Sequence, residues 1–441
     1  MRILKKLLAG ILVLGGLAAM GILAVRAVER DRAYLRLIDH GDKALSQGQA
    51  FVAIKAYSEA IALKRGSMLA YLKRGEAHQQ RGDTTETLTA ALRDLRMAAA
   101  LDPGATRALE ELGDVNLQLR RFVNAAESYE RYLRLDDRSA RVFYKLALAS
   151  RGAGHLTRAL SAVHQAARLN PGLHEAQYVL GLCFKDRGEL PEARAAFERA
   201  VSASPAFIPA REELADLDRL QDRTRNEIDE LAALAALDPI KAERLIALGL
   251  AYLRAGNRES AVTTLGRAAE RFPEHPGVYA ALGQVWLEAA EDRADPSDLR
   301  KALEALEPIA SQAGASSETL GLYGRALALS GQHGQAEQVL RQASQTFPTD
   351  PDVLPHYAVV AQRLGHFEDA RQALVHYSIL VDDDREAAAH AARIADLSLR
   401  VNDPATAVAW YQKAAALGHA DAFLLARLAD AQARARRLQA R

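Results

Sequence analysis

Cysteine is almost absent from this chain: Cys183 stands alone in 441 residues. One thiol cannot build an internal disulfide, a Cys-x-x-Cys redox pair or a multi-cysteine zinc site. It is tolerated in oxidising and reducing compartments alike, so it does not place the protein. An excess of charge of either sign is missing too. Lys and Arg number 57 against 56 Asp and Glu, a formal net charge of +1. No bulk electrostatic force therefore draws the chain to nucleic acid, whose phosphates demand concentrated cationic surface. The catalytic signatures are missing as well: no His-Glu-x-x-His, no Gly-x-Ser-x-Gly elbow, no Walker phosphate loop and no dinucleotide glycine fingerprint. The 12 histidines are scattered, and His366 and His376 have no carboxylate constellation beside them in the sequence, so satisfied or exposed rings are expected. Paired acids such as Glu110/Glu111 and Asp382–Asp384 read as solvated helix ends or turns. These absences argue against an enzyme and against a resident metal or cofactor.

Apolar residues, in contrast, make up 49% of the chain, enough for a large core and against global disorder. Length alone suggests two or three domains. Residues 1–30 read as a membrane anchor. Arg2, Lys5 and Lys6 precede an uncharged run from Leu7 to Val25, about 28 Å long as a helix and close to the hydrocarbon thickness of a bilayer. A cleavable signal peptide is the rival reading, with a shorter apolar region and a small-residue cleavage site; Arg26 inside "AVRA" makes a poor site, which favours an uncleaved anchor. Basic residues lie on both flanks, with Arg26, Arg30, Arg32 and Arg36 after the run. The short basic N-terminus argues for a cytoplasmic start, with the rest of the chain in the periplasm of a two-membrane bacterium. Gly15 and Ala19 form a small-xxx-small pair that reads as ordinary composition or as a helix-packing notch.

From about Tyr34 to His419 the chain repeats itself. A pattern of small residue, turn Gly, Ala, large apolar residue and closing Pro recurs eleven times with a unit of 34 residues. The small residue of each first helix is Gly or Ala throughout: Gly41, Gly75, Gly113, Ala147, Gly181, Ala215, Gly249, Gly283, Gly324, Ala358 and Ala395. Each second helix carries an apolar filler: Tyr57, Leu95, Tyr129, Val163, Phe197, Leu231, Leu265, Leu306, Leu340, Leu374 and Tyr411. Small residues let two helix backbones approach, and the filler is expected to occupy the gap between neighbouring units. Glycines such as Gly48, Gly188 and Gly365 fall where the first helix must end in a left-handed residue. One helix pair cannot bury its apolar face alone, so stacking must supply a continuous core. Extra residues around "DTTETL" and "EDRADPSDL" are expected between the two helices of the second and eighth units. The sixth unit has Asp222 and Glu227 in place of Gly and Ala, and reads as a softer joint or as irregular packing. After the last unit, "DAFLLARLADAQARARRLQAR" reads as a closing helix with Phe423, Leu424 and Leu428 facing inward.

These units resemble tetratricopeptide repeats, over nearly all the chain after the anchor. The resemblance implies an all-α fold, a right-handed α-solenoid of about eleven helix pairs between the N-terminal membrane helix and a C-terminal cap. The expected parts are the anchor at 1–30, units one to six at 34–239, units seven to eleven at 240–419, and the cap at 420–441. It also implies that partners are other proteins, held in a concave groove lined by the first helices. On that face Asp42, Glu76 and Asp114 hold equivalent positions and suggest an acidic strip. Arg141, Tyr144, Arg151, Tyr178 and Lys185 are the side-chain types that most often anchor partners. A solvated helix face with ordinary tyrosine packing is the alternative for all of them. The carboxylate clamp by which some relatives hold heat-shock chaperones is not carried over, since Ile38, Asp42 and Arg74 stand at the relevant sites. The expected role is a non-catalytic, inner-membrane-anchored scaffold in an envelope assembly or export machine: polysaccharide export, secretion or pilus assembly, or outer-membrane biogenesis. A periplasmic chaperone for unfolded clients and a soluble cytoplasmic regulator are the alternatives. No cofactor and no nucleic-acid partner are expected.

Overall fold

The computed structural model describes residues 2–439 except 83, 294, 382–386, 419 and 420; for residues 2–19 and 22 the description stops at the helical backbone. Among the described residues every regular element is an α-helix, 23 in all. The first repeat is α1 (Arg2–Ser46) with α2 (Ala50–Leu63), the second α3 (Met68–Arg81) with α4 (Thr85–Leu101), and the third α5 (Thr106–Gln118) with α6 (Phe122–Leu133). The fourth is α7 (Ala140–Gly152) with α8 (Leu156–Leu169), the fifth α9 (His174–Asp186) with α10 (Leu190–Ala203), and the sixth α11 (Ile208–Leu220) with α12 (Thr224–Leu237). Repeats seven and eight are α13 (Ala242–Arg254) with α14 (Arg258–Arg271) and α15 (Pro276–Arg293) with α16 (Pro296–Ala310). Then come α17 (Ser317–Leu329) with α18 (His333–Gln345), α19 (Val353–Leu364) with α20 (Phe367–Leu380), α21 (Ala387–Arg400) with α22 (Pro404–Ala416), and finally α23 (Ala422–Gln439).

Nine first helices, all but α3 and α15, end the same way. In repeat five the chain turns at Gly188, φ +77°, and the N–H of Glu189 reaches back to the carbonyl of Phe184 at 2.9 Å. That bond satisfies a helix-end carbonyl that would otherwise be orphaned. Where glycine is absent the bond persists: Arg121 N to Asn116 O, Arg223 N to Asp218 O and Asp403 N to Ser398 O are each 2.8 Å. There Arg120, Asp222 and Asn402 hold φ of 56°, 54° and 61°, a left-handed conformation that side chains adopt at a cost.

The small residue and the filler meet within one repeat. A Cβ built on Gly113 would lie 2.3 Å from Cε1 of Tyr129, and one on Gly181 would lie 2.4 Å from the same atom of Phe197. Leu265, Leu306 and Leu340 press against Gly249, Gly283 and Gly324 in the same way. The filler therefore covers the notch of its own repeat, and the expected gap between neighbouring units is not its place. Tyr57, Tyr129, Phe197, Leu265, Leu306 and Leu340 are completely buried, each contributing roughly 1.5–3 kcal/mol of apolar burial.

Contacts divide the chain into two compact bodies, Met1–Leu217 and Asp218–Arg441. The division falls inside α11, the first helix of the sixth repeat, whereas the sequence-based boundary was drawn between 239 and 240. In the N-terminal body, α1 runs unbroken from Arg2 into the first repeat, where Tyr34 and Ile38 are buried. The anchor expected at 7–25 falls mainly on residues 7–19 and 22, whose side chains lie outside the described residues. Among the described residues no helix is long and apolar enough to cross a membrane. The extra residues of repeat two are absorbed as helix: α4 has 17 residues where α2 has 14. Repeat eight, in the C-terminal body, does likewise, with 18 residues in α15 against 13 in α13.

At the end of the C-terminal body Leu424 and Ala431 of α23 are buried and Leu428 packs beside them. Phe423 does not face inward. It is exposed, with the Arg427 guanidinium 5.3 Å from its ring centre. Positions 424, 428 and 431 share one helical stripe, and 423 lies about 100° away from it.

Candidate functional site

In the N-terminal body the first-helix residues singled out above are knitted together. Asp42 accepts a 2.6 Å hydrogen bond from the Tyr57 hydroxyl, and Lys73 of the next repeat lies 3.0 Å away. Arg107 Nε lies 2.8 Å from Glu76. Asp114 accepts from Tyr129 Oη at 2.6 Å and from Lys145 Nζ at 2.6 Å. The three acids thus do not form an unpaired strip: each meets a base contributed by the following repeat. Burial and the adjoining carboxylates hold the Tyr57 and Tyr129 hydroxyls far above their ordinary pKa. Tyr411, the third tyrosine filler, donates to Asp396 in the same manner in the C-terminal body.

The expected partner-reading side chains are engaged in the same lattice. Arg141 pairs with Glu110, which also accepts from Lys145 at 2.8 Å. Burial works against the Glu110 carboxylate, yet hydrogen bonds from Lys145 and Arg141 outweigh it and hold the pKa below the ordinary value. Arg151 grips Asp186 through two hydrogen bonds, 2.6 and 3.0 Å, and Lys185 donates to Glu213 at 2.5 Å. Tyr144 and Tyr178 are half-buried, and Tyr178 lies 5.4 Å from the Phe207 ring in an edge-on arrangement. Arg141, Arg151, Tyr178 and Lys185 thus each meet a group of an adjoining repeat.

The C-terminal body presents a different first-helix face. Ile246 and Leu250 of α13, Gly277, Ala280 and Gln284 of α15, and Thr319 of α17 line a trough of about 410 Å³. Gln284 and Glu318 continue it into a smaller hollow with Gly321, Arg325 and His356. Ile246, Ala280 and Gly321 occupy the repeat positions that hold Tyr144 and Tyr178 in the other body. Ala280 is the short one that opens the trough, Ile246 with Leu250 supplies its apolar wall, and Gly321 is packed against Val353. Its far end is polar: Arg325 is fixed by Glu291 at 2.9 and 3.0 Å, and burial with Arg325 nearby lowers the pKa of His356. Reading the face for tyrosine and arginine misses this surface; reading it for side-chain size finds it.

One histidine expected to be isolated is not. His366 Nδ1 lies 2.5 Å from Glu337 Oε1, with Asp369 close by. Arg341 reaches Glu337 at 3.3 Å and Asp369 at 3.1 Å, and donates to Tyr357 Oη at 3.0 Å. The guanidinium already sits between the two carboxylates that a cation would need, so the cluster reads as an ion-pair joint between α18 and α20.

The succession of helix pairs, seven of them closed by a filler on a glycine notch, finds its match among known families. Tetratricopeptide repeat families match residues 87–140 and 144–206, 242–285, and 327–394. The chain belongs to the tetratricopeptide repeat family. No curated protein matches the sequence. Among solved structures it is similar to MamA protein, at 24% identity over 40% of this chain and 93% of that one, with a TM-score of 0.37. It is similar to YrrB, described as a TPR protein with an unusual peptide-binding site, at 21% identity over 52% and 98% of the two chains, TM-score 0.31. Yeast Tom70 aligns over 93% of this chain and 97% of its own at 16% identity, TM-score 0.43. As a tetratricopeptide repeat protein the chain is a protein-interaction scaffold, and nothing among its described residues points positively to catalysis.

Proposed function

We propose that this tetratricopeptide repeat protein is a membrane-anchored scaffold that holds one or two partner proteins along the trough of α13, α15 and α17. The observation that carries the reading is the contrast between the two first-helix faces. In the N-terminal body charged groups are consumed in tying repeats together; in the C-terminal body small and apolar side chains leave room for another chain. A trough with an apolar wall and a few polar groups at one end suits an extended segment or a helix of a partner. Residues 7–25 serve as the anchor in a bacterial inner membrane, with the repeats in the periplasm. The uncharged run in the sequence supports this, as do Met20, Leu23, Val25 and Val28, all exposed along α1. The machine served belongs to envelope assembly or export.

The test is to isolate complexes from cells carrying the natural chain or the Leu250→Lys, Ala280→Arg double variant. One or two stoichiometric partners, lost in the variant while helicity is unchanged, support the scaffold. A broad set of weakly bound unfolded clients supports a chaperone instead, and partners retained by the variant remove the trough from the account. A topology reporter fused after Arg441 checks the location: a cytoplasmic readout ends the periplasmic assignment.

A further inference from the structure

The outer stripe of α4 carries a feature that neither the pairing lattice nor the trough uses. Leu92, Arg93, Arg96, Met97 and Ala100 recur at helical spacing along one face. With Thr89 and with Arg121 at the head of α6 they enclose a cleft of about 500 Å³. Leu92, Met97 and Ala100 form an apolar floor, and Met97 is exposed although its neighbour Leu92 is almost fully buried. Arg93, Arg96 and Arg121 are exposed around that floor. Other arginines of this body reach carboxylates: Arg74 holds Asp94, Arg141 holds Glu110 and Arg151 holds Asp186. Among the described residues these three have no such partner, and no carboxylate lines the cleft. The positive end of the α6 dipole points to the same side.

We propose that this cleft binds a short acidic segment of a partner protein, an apolar residue flanked by carboxylates. Guanidinium groups match carboxylates in a two-pronged geometry and give up their hydration more easily than ammonium groups do. The thioether of Met97 adapts to whichever apolar side chain enters. From Thr89 to Ala100 the stripe is about 16 Å long, the reach of roughly five extended residues. A nucleic acid fits less well, since the cleft offers no aromatic ring for base stacking. This site lies on a second helix and is separate from the α13–α17 trough.

The experiment is fluorescence anisotropy with the full chain and a labelled Glu-Glu-Leu-Glu-Glu peptide in low salt. Expected is saturable binding, at least tenfold weaker in Arg93→Glu with Arg96→Glu, severalfold weaker in Met97→Ser, and unchanged in Leu250→Lys. Arg121→Glu on the other helix is expected to weaken it as well, and decides the matter if the double reversal fails to fold. No binding by the natural chain, or binding indifferent to all of these charge reversals, overturns the proposal. So does stronger arginine-dependent binding of a single-stranded oligonucleotide or of phosphatidylglycerol vesicles.

Discussion

Adding one methyl group at Gly113 tests whether the filler and the notch are a matched pair. In Gly113→Ala the new Cβ would stand 2.3 Å from Cε1 of Tyr129, more than 1 Å inside the usual carbon–carbon separation of about 3.5–4.0 Å. Tyr129 has little freedom to yield, because its ring is completely buried and its hydroxyl is bound to Asp114 at 2.6 Å. Overpacking of this kind costs about 1–3 kcal/mol, and the better helix propensity of alanine returns about 0.5–1 kcal/mol. The net expectation is a loss of about 1–2 kcal/mol. Tyr129→Val alone removes ring contacts and a hydrogen bond, for a loss of about 3 kcal/mol. With valine in place the alanine finds room that a leucine would still fill, as in repeat four, where Ala147 and the filler Val163 are both fully buried in one cluster. In that background Gly113→Ala should become neutral or stabilising, a coupling of about 2 kcal/mol. Native-state hydrogen exchange of α5 and α6 amides reads the local free energy, which a global melt of a repeat protein does not isolate. Effects that add within about 0.5 kcal/mol, or a single Gly113→Ala that stabilises, would refute the notch.

The turn residues give a second prediction: Arg120→Gly should stabilise repeat three by roughly 0.5 kcal/mol, and Gly188→Ala should destabilise repeat five by about 1 kcal/mol, by the same exchange measurement. Lys145→Met should cost about 2 kcal/mol near neutral pH by removing the base that Glu110 and Asp114 share, leaving them only Arg141 and Tyr129. Because the folded-state pKa of Glu110 lies below its ordinary value, its contribution is present above that ordinary value and lost as pH falls through the folded one; the deficit should shrink over the same interval in urea titrations. Glu111 runs the other way, since burial raises its pKa. Glu111→Gln should therefore stabilise at neutral pH, with a gain that fades as pH falls to the ordinary glutamate value. Burial pushes the Cys183 thiol up to about 11, so a disulfide reagent should label it only on unfolding; prompt labelling of the native chain would contradict that burial.

The repeat was legible because backbone approach leaves a periodic trace: the glycines and alanines of the first helices are spaced by the unit itself. What the filler touches was not legible, since a period of 34 cannot tell a notch in the same unit from a gap beside the next one. One coupling was available and missed. Tyr57, Tyr129 and Tyr411 are the tyrosine fillers, and Asp42, Asp114 and Asp396 stand 15 residues before them in every case. The bases that neutralise Glu110 and Asp114 were also hidden in plain order, 31 residues downstream at Arg141 and Lys145. Large polar side chains on the N-terminal face, Arg141, Arg151 and Lys185 among them, also tie one repeat to the next. The open surface lies where the position held by Tyr144 and Tyr178 shrinks to Ala280. Phe423 shows the limit at a chain end, where a hydrophobic run does not say which of its members the last stripe buries.

The most direct test of the scaffold itself is photo-crosslinking in cells from a reactive amino acid placed at Gln284 in the trough, with Glu270 on the exposed face of α14 as the control. The account predicts one or two discrete adducts from position 284 and none of them from position 270. A smear of many clients from 284, or the same adducts from both positions, would contradict it.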